Sequence, residues 1–204
     1  MRIVVGSLNQ GKIAEYRRMF DELQIEVESM QQAGVAPDVD LPEDGDTFYD
    51  NALSKTRALQ EMIGGWTMGD DSGLVVDALG GAPGVYSARY AGYAGRGKAR
   101  DRANLDKLLT AMEGVADENR TAHFECAIVL LGPVGQIVSA HGTCQGRIIR
   151  AGRGTSGFGY DPVFLPDGFE QTMAELSMDA KNLISHRGLA LAALIEKVRR
   201  SKII

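Results

Sequence analysis

Two β-rich runs, Thr121 to Leu131 and Gln136 to Ile149, flank Gly132-Pro133-Val134-Gly135. Glycine and proline between two strand-forming segments signal a hairpin. The rest of the chain alternates strand and helix, so a long hairpin in its middle predicts a mixed sheet rather than a purely parallel one. Ile3-Val4-Val5-Gly6 reads as a short buried strand, followed by a polar loop from Ser7 to Lys12. Ile13, Tyr16, Met19, Phe20 and Leu23 then recur at helical spacing. Ile25 to Met30 reads as a second strand. Thr47 is placed to cap a helix carrying Phe48, Ala52, Leu59, Met62 and Ile63, which Gly64-Gly65 ends. Short strands are expected at Thr67-Met68 and Leu74 to Val76, on either side of an acidic turn. Further helices are expected over Arg102 to Met112 and from Ser185, and a strand at Val163-Phe164-Leu165. Gln31 to Gly45 and residues 79–100 read as irregular.

A length of 204 residues allows one large domain or two small lobes with a real core. A net charge of −5 argues against binding nucleic acid through a broad basic field, but leaves room for a small anion held by local cations. Cys126 and Cys144 have no metal-ligand spacing, and two are too few for a disulfide framework; both read as reduced and structural. The chain opens directly into a strand, so no signal peptide is expected, and its apolar runs are too short to span a bilayer. A cytoplasmic location with no membrane partner is therefore expected.

Asp70-Asp71-Ser72-Gly73 interrupts apolar, strand-like sequence. Adjacent carboxylates cost free energy unless something positive compensates them, and a divalent metal is one solution. A solvated turn has the same composition. Three other polar segments raise the same question. Ser7-Leu8-Asn9-Gln10-Gly11-Lys12 opens the first helix, where backbone N–H groups and the dipole attract anions. It is not a Walker A loop. Glu43 to Asn51 is a second acidic turn entering a helix, with Asn51 and Lys55 on one helix face; a carboxylate there could join Asp71 on one metal. Gly157-Phe158-Gly159-Tyr160-Asp161-Pro162 combines glycines that permit close approach with aromatic faces able to stack on a base. Finally, Lys181 and Ser185-His186-Arg187-Gly188 bring cations to a helix N-terminus, against the dipole, which asks for an anion or an acceptor-rich ligand.

Taken in order along nearly the whole chain, these segments resemble the inosine triphosphate pyrophosphatase family. The resemblance runs through Ser7-x-Asn9-x-x-Lys12, Glu43-x-Gly45-x-Thr47-Phe48-x-x-Asn51-Ala52-x-x-Lys55 and Asp70-Asp71-Ser72-Gly73-Leu74. It continues through Gly80-Gly81-Ala82-Pro83-Gly84-Val85-Tyr86-Ser87-Ala88-Arg89-Tyr90 to the Gly157 and Ser185 segments. Leu8 departs from the family's usual glycine and Asp50 from its usual glutamate. The resemblance implies a single catalytic domain over residues 1–204 with an elongated, two-lobed α/β fold. A long mixed β-sheet flanked by helices, an active-site cleft between the lobes and a homodimer belong to the same expectation. The implied reaction is Mg²⁺-dependent hydrolysis of ITP, dITP or XTP to the monophosphate plus pyrophosphate.

On that reading Asp71 activates the water and faces the metal, with Glu43 as the second metal carboxylate. Ser7, Leu8, Asn9, Gln10, Gly11, Lys12, Lys55 and Ser72 bind the substrate, with Lys12, Ser7 and Asn9 holding the triphosphate and Lys55 also able to reach the phosphates. Phe158, Gly159, Tyr160, Asp161, Lys181, His186 and Arg187 also bind the substrate, with Phe158 able to stack on the purine. Hypoxanthine and xanthine carry an acceptor where adenine carries an N–H₂ donor, so Lys181 and Arg187 would donate to the 6-oxo group and leave adenine mismatched. Competing readings are a pyrophosphatase for other modified nucleotides, a non-catalytic nucleotide sensor and a phosphoryl-transfer enzyme.

Overall fold

A computed structural model describes residues 1–95 and 97–201. Among them six strands form one sheet in the order β2-β1-β3-β4-β5-β6. The strands are β1 (Arg2–Val5), β2 (Glu26–Ser29), β3 (Trp66–Val76), β4 (Thr121–Leu131), β5 (Ile137–Ile148) and β6 (Phe164–Pro166). The helices are α1 (Gln10–Asp21), α2 (Phe48–Ile63), α3 (Lys98–Ala111), α4 (Met178–Ile184) and α5 (His186–Ser201). β1 pairs in parallel with both β2 and β3, while β5 and β6 are antiparallel. The turn between β4 and β5 is closed by Gly132 N–H donating to the Gln136 carbonyl, and so short a connection permits only antiparallel pairing. The sheet is therefore mixed, as the hairpin signal implied.

The chain divides into two compact units. The first comprises Met1–Asp71, Cys126–Gly142 and the chain from Arg187 onward. Alternation along β1 sends Ile3 and Val5 to one face and Val4 to the other. Ile3 and Val5 pack with Ile13, Tyr16 and Phe20 of α1 and with Leu191, Leu194 and Val198 of α5. Val4 packs with Met30, Val35 and Leu59 of α2. These side chains are almost fully buried, and each full burial of this kind is worth about 1.5–3 kcal/mol. The helical spacing seen in the sequence is thus the contact face of α1. Asn9 and Thr47 cap the two helices: Asn9 accepts from the Gly11 and Lys12 N–H groups, Thr47 from Asp50 N–H.

The second unit comprises Ser72–Glu125 and Thr143–His186. Its core gathers Leu74 and Val76 of β3, Leu105 and Leu108 of α3, Phe124 of β4 and Phe164 of β6. Arg120, buried, donates to the Ile148 and Met112 carbonyls and so satisfies the backbone at the end of α3.

Two expectations are corrected, and one element is new. The acidic turn does not exist: Thr67-Met68 and Leu74–Val76 are parts of one strand of 11 residues. Strand continuity wins because each aspartate finds cations on its own face. The helix expected from Arg102 begins at Lys98. α4, too short to show a periodic face, has no counterpart in the sequence reading.

Both cysteines are free and buried. Burial, with Asp70 nearby, pushes the Cys126 thiol up to about 12, and burial pushes Cys144 up to about 11. At pH 8 neither presents appreciable thiolate. Native protein is expected to react with a thiol-specific chromogenic disulfide only after denaturant is added; rapid native labelling of either cysteine would contradict this.

Candidate active site

The two aspartates of β3 resolve their repulsion by geometry. Side chains alternate along a strand, so Asp70 and Asp71 point to opposite faces. Asp70 faces α1 and α5. Its Oδ2 lies 2.5 Å from Lys12 Nζ and 3.7 Å from Arg187 Nε. Its side chain is only 1% exposed. Burial by itself would raise its pKa, but Lys12, Arg187 and Lys55 outweigh burial and hold the carboxyl well below the usual carboxylate range. Burial, reinforced by Asp70, pushes the Tyr16 hydroxyl well above its ordinary value.

Asp71 faces α2. Its Oδ2 accepts from Asn51 Nδ2 at 2.9 Å and its Oδ1 from Lys55 Nζ at 3.0 Å. Lys55 Nζ also lies 2.5 Å from Glu43 Oε1 and 3.2 Å from the Asp70 carbonyl. Burial disfavours the Lys55 charge, yet Asp71 and Glu43 more than compensate and raise its pKa. Asn51 and Lys55, four residues apart on α2, hold Asp71 from one helix face, as their spacing implied. Asn51 is fully buried, and its Oδ1 accepts from Gly45 N–H at 2.8 Å. One amide thus ties Asp71 to the loop that carries Glu43. Asn51 had a sequence signal, its place on the Lys55 face, but no assigned role. Gly69 supplies the close packing behind the site: a Cβ there would lie 2.5 Å from Thr56 Oγ1 and 2.9 Å from the Ala52 carbonyl of α2. A glycine inside a strand pattern is the signal for such an approach.

Glu43 and Asp71 therefore converge on a single cationic position, held by Lys55. Two carboxylates aimed at one cation suit a divalent metal that takes its remaining ligands from water and phosphate. Among the described residues no third His, Cys, Asp or Glu completes an all-protein metal cage.

The loop before α1 departs from the expected open anion site. Asn9 Oδ1 occupies the Gly11 and Lys12 N–H groups, and Ser7 Oγ accepts from Asn9 N–H. Gln10 and Gly11 are exposed, while Leu8 packs against the Val4–Leu59 cluster. Ser72 lies half-buried on β3.

In the second unit Lys181 Nζ lies 2.6 Å from Asp161 Oδ2, and 5.4 Å from the centroid of the Phe158 ring. The same carboxylate oxygen accepts from Phe158 N–H at 2.9 Å. Gly157, at φ 76°, leaves room for this: a Cβ would sit 2.1 Å from Asp161 Oδ2 and 3.1 Å from Lys181 Nζ. Phe158 is 45% exposed, so its ring has a face to offer. Gly159 N–H donates to Asp101. Tyr160 is different. It is buried and donates its hydroxyl to the Ser87 carbonyl at 2.9 Å, which makes it a core residue beneath the loop. His186 stacks on Phe124, with ring centroids 4.8 Å apart. Arg187 belongs to the first unit, 3.2 Å from Glu15 and beside Asp70. The anion that the cations near α5 asked for is, for Arg187, the protein's own.

An α/β chain with two carboxylates gathered on one cation, beside a capped helix start carrying a lysine, has the equipment of a hydrolase acting on nucleoside triphosphates. The comparison with known proteins gives the same class. A model of the Ham1 family matches residues 3–197, and the chain belongs to that family. It is 45% identical to a dITP/XTP pyrophosphatase of Shouchella clausii over 196 residues, 96% of each chain. Two solved structures share the fold. A HAM1 protein from Coxiella burnetii has a TM-score of 0.87 and 38% identity, covering 98% of this chain and 99% of that one. A nucleoside-triphosphatase / dITP/XTP pyrophosphatase from Mycobacterium abscessus has a TM-score of 0.77 and 41% identity, covering 97% of this chain and all of that one.

Proposed function

We propose that this chain hydrolyses deaminated purine nucleoside triphosphates, ITP, dITP and XTP, at the α-phosphorus, releasing the monophosphate and pyrophosphate. The observation that carries this reading is the convergence of Glu43 and Asp71 on one cation, 2.5 and 3.0 Å from Lys55 Nζ. The near full-length similarity to dITP/XTP pyrophosphatases supports the substrate class.

Glu43 and Asp71 would hold Mg²⁺, which supplies neutralisation of charge on the triphosphate oxygens. Asp71 takes a proton from the attacking water. The water oxygen forms a bond to the α-phosphorus as the bridge oxygen to the β-phosphorus departs with pyrophosphate. Asn51 keeps the Asp71 carboxylate oriented through its 2.9 Å hydrogen bond. Lys12, with Ser7 and Asn9, and Lys55 bind the triphosphate, so that catalysis rests on positioning and electrostatics. At the base end Phe158 stacks on the purine, and Lys181, steadied by Asp161, donates to the 6-oxo group. An amino group at that position would leave the lysine facing a donor, which is how a polar site rejects a near-isostere.

Residues 1–204 act as one catalytic domain, in a homodimer and in the cytoplasm. No helix among the described residues is long and apolar enough to cross a membrane. The test is product analysis with Mg²⁺ and a panel of ITP, XTP, GTP, ATP and CTP. Monophosphate and pyrophosphate from ITP and XTP, with little turnover of ATP and GTP, is the expected result. Diphosphate and orthophosphate as products, or no turnover of any, would refute the reading.

A further inference from the structure

Phe158 stands between two glycines of positive φ, Gly157 at 76° and Gly159 at 60°. Glycine on both sides leaves the backbone wide freedom, and the ring itself is largely in solvent. Two carboxylates remove that freedom. Phe158 N–H donates to Asp161 Oδ2 at 2.9 Å, and Gly159 N–H donates to Asp101 Oδ2 at 3.2 Å. These N–H groups belong to the peptides on either side of the Phe158 Cα. Holding both planes fixes φ and ψ of Phe158, and with them the direction in which its side chain leaves the backbone. Asp161 acts from within the loop, whereas Asp101 reaches it from α3, 58 residues earlier in the chain.

An aspartate in the first turn of a helix commonly does no more than complement the dipole. Here its oxygen also serves a second element. One turn further along α3, on the same face, Asn104 is 3% exposed and donates to the Ser87 and Ala88 carbonyls at 3.3 and 3.1 Å. The Ser87 carbonyl also accepts the Tyr160 hydroxyl. α3 therefore supports two successive loop residues, Gly159 through Asp101 directly and Tyr160 through Ser87.

We infer that Asp101 is a positioning residue for the purine: by holding Gly159 N–H it sets the plane of the Phe158 ring on which the base stacks. A carboxylate suits the post because a charged acceptor binds a backbone N–H more strongly than a neutral one. The inference rests on the proposed stacking of the purine on Phe158.

The test is a double-mutant cycle in ITP hydrolysis with Asp101→Ala, Phe158→Ala and the double variant, each checked for folding by thermal melting. Asp101→Ala is expected to raise KM about tenfold and to leave kcat within about twofold, because the phosphate end and Asp71 are untouched. ITP, XTP and GTP should suffer alike, since stacking does not read the base edges. In the Phe158→Ala background the substitution should change KM little, because no ring remains to be positioned. Asp101→Asn keeps an acceptor oxygen and should recover most of the loss. Competitive inhibition by tripolyphosphate, which has the phosphates and no base, should be the same for wild type and Asp101→Ala. An unchanged KM, an equal KM effect with and without Phe158, or equal weakening of tripolyphosphate would overturn the inference. If Asp101→Ala does not fold, Asp101→Glu decides, since it keeps the charge in the first turn of α3 but displaces the oxygen: a raised KM with kcat kept supports the inference, and an unchanged KM overturns it. Failure of wild type to hydrolyse ITP would refute the proposed function and the inference with it, whereas wild-type turnover with a KM indifferent to Asp101 would refute the inference alone.

Discussion

Asp71→Asn is expected to lower kcat for ITP by about 10²–10⁴-fold, the contribution of a positioned general base, in a protein that still folds. The side chain is 14% exposed and receives two donors, Asn51 Nδ2 and Lys55 Nζ. An asparagine is nearly the same shape, but it offers one acceptor oxygen where the carboxylate offers two. If that oxygen faces Lys55, its own NH₂ group meets the NH₂ of Asn51, at a local cost of about 1–3 kcal/mol for the unpaired donor. The stability loss is therefore modest and the kinetic loss large. Initial rates of pyrophosphate release, with a thermal melt on the same sample, check both. Near-normal turnover by the folded variant would remove Asp71 from the role of base.

Asp70→Asn should do the reverse, acting on stability first. The carboxylate lies between Lys12 and Arg187 on the closed face of β3, and the asparagine would leave two cations with no shared anion. Removing one partner of a buried ion pair costs about 3–5 kcal/mol. Urea unfolding at neutral pH measures the difference, and a change below about 1 kcal/mol, the size of an exposed pair, would contradict the account. The sign of the pH dependence follows from the depressed pKa. The unfolded aspartate titrates near about 3.9, and the folded one lies well below that. Its contribution is present in full above the unfolded value and is lost as pH falls through the folded one. Wild type should therefore lose stability on acidification below about pH 4 more steeply than Asp70→Asn, and the two should converge toward low pH.

Sequence patterning was strong where local chemistry acts alone. The α1 stripe of Ile13, Tyr16 and Phe20, the Thr47 cap, the Gly64 stop and the 132–136 hairpin turn all follow from near neighbours in the chain, and the structure places each as expected. The same holds for the spacing of Asn51 and Lys55, which the helix period alone puts beside each other. The sequence misled at Asp70-Asp71-Ser72-Gly73. Their composition favours a turn, and the cations that make a strand possible lie far away in the chain: Lys12 is 58 residues before Asp70, and Arg187 lies at the start of the last helix.

The amino-acid sequence determined the α/β pattern, the mixed sheet, the membership of the family and the residue types on which a triphosphate hydrolase can be built. Tertiary structure decided which of those residues meet. It put Asp70 and Asp71 on opposite faces of one strand, made Lys55 the cation shared by Asp71 and Glu43, and buried Tyr160 as a core residue. It also turned Arg187 inward to Asp70 and Glu15. The reason is the range of the forces. Periodicity, capping and turn chemistry act over a few residues and can be read in order, whereas charge compensation acts through space. Which carboxylate neutralises which cation is fixed only when strands and helices distant in sequence are packed side by side.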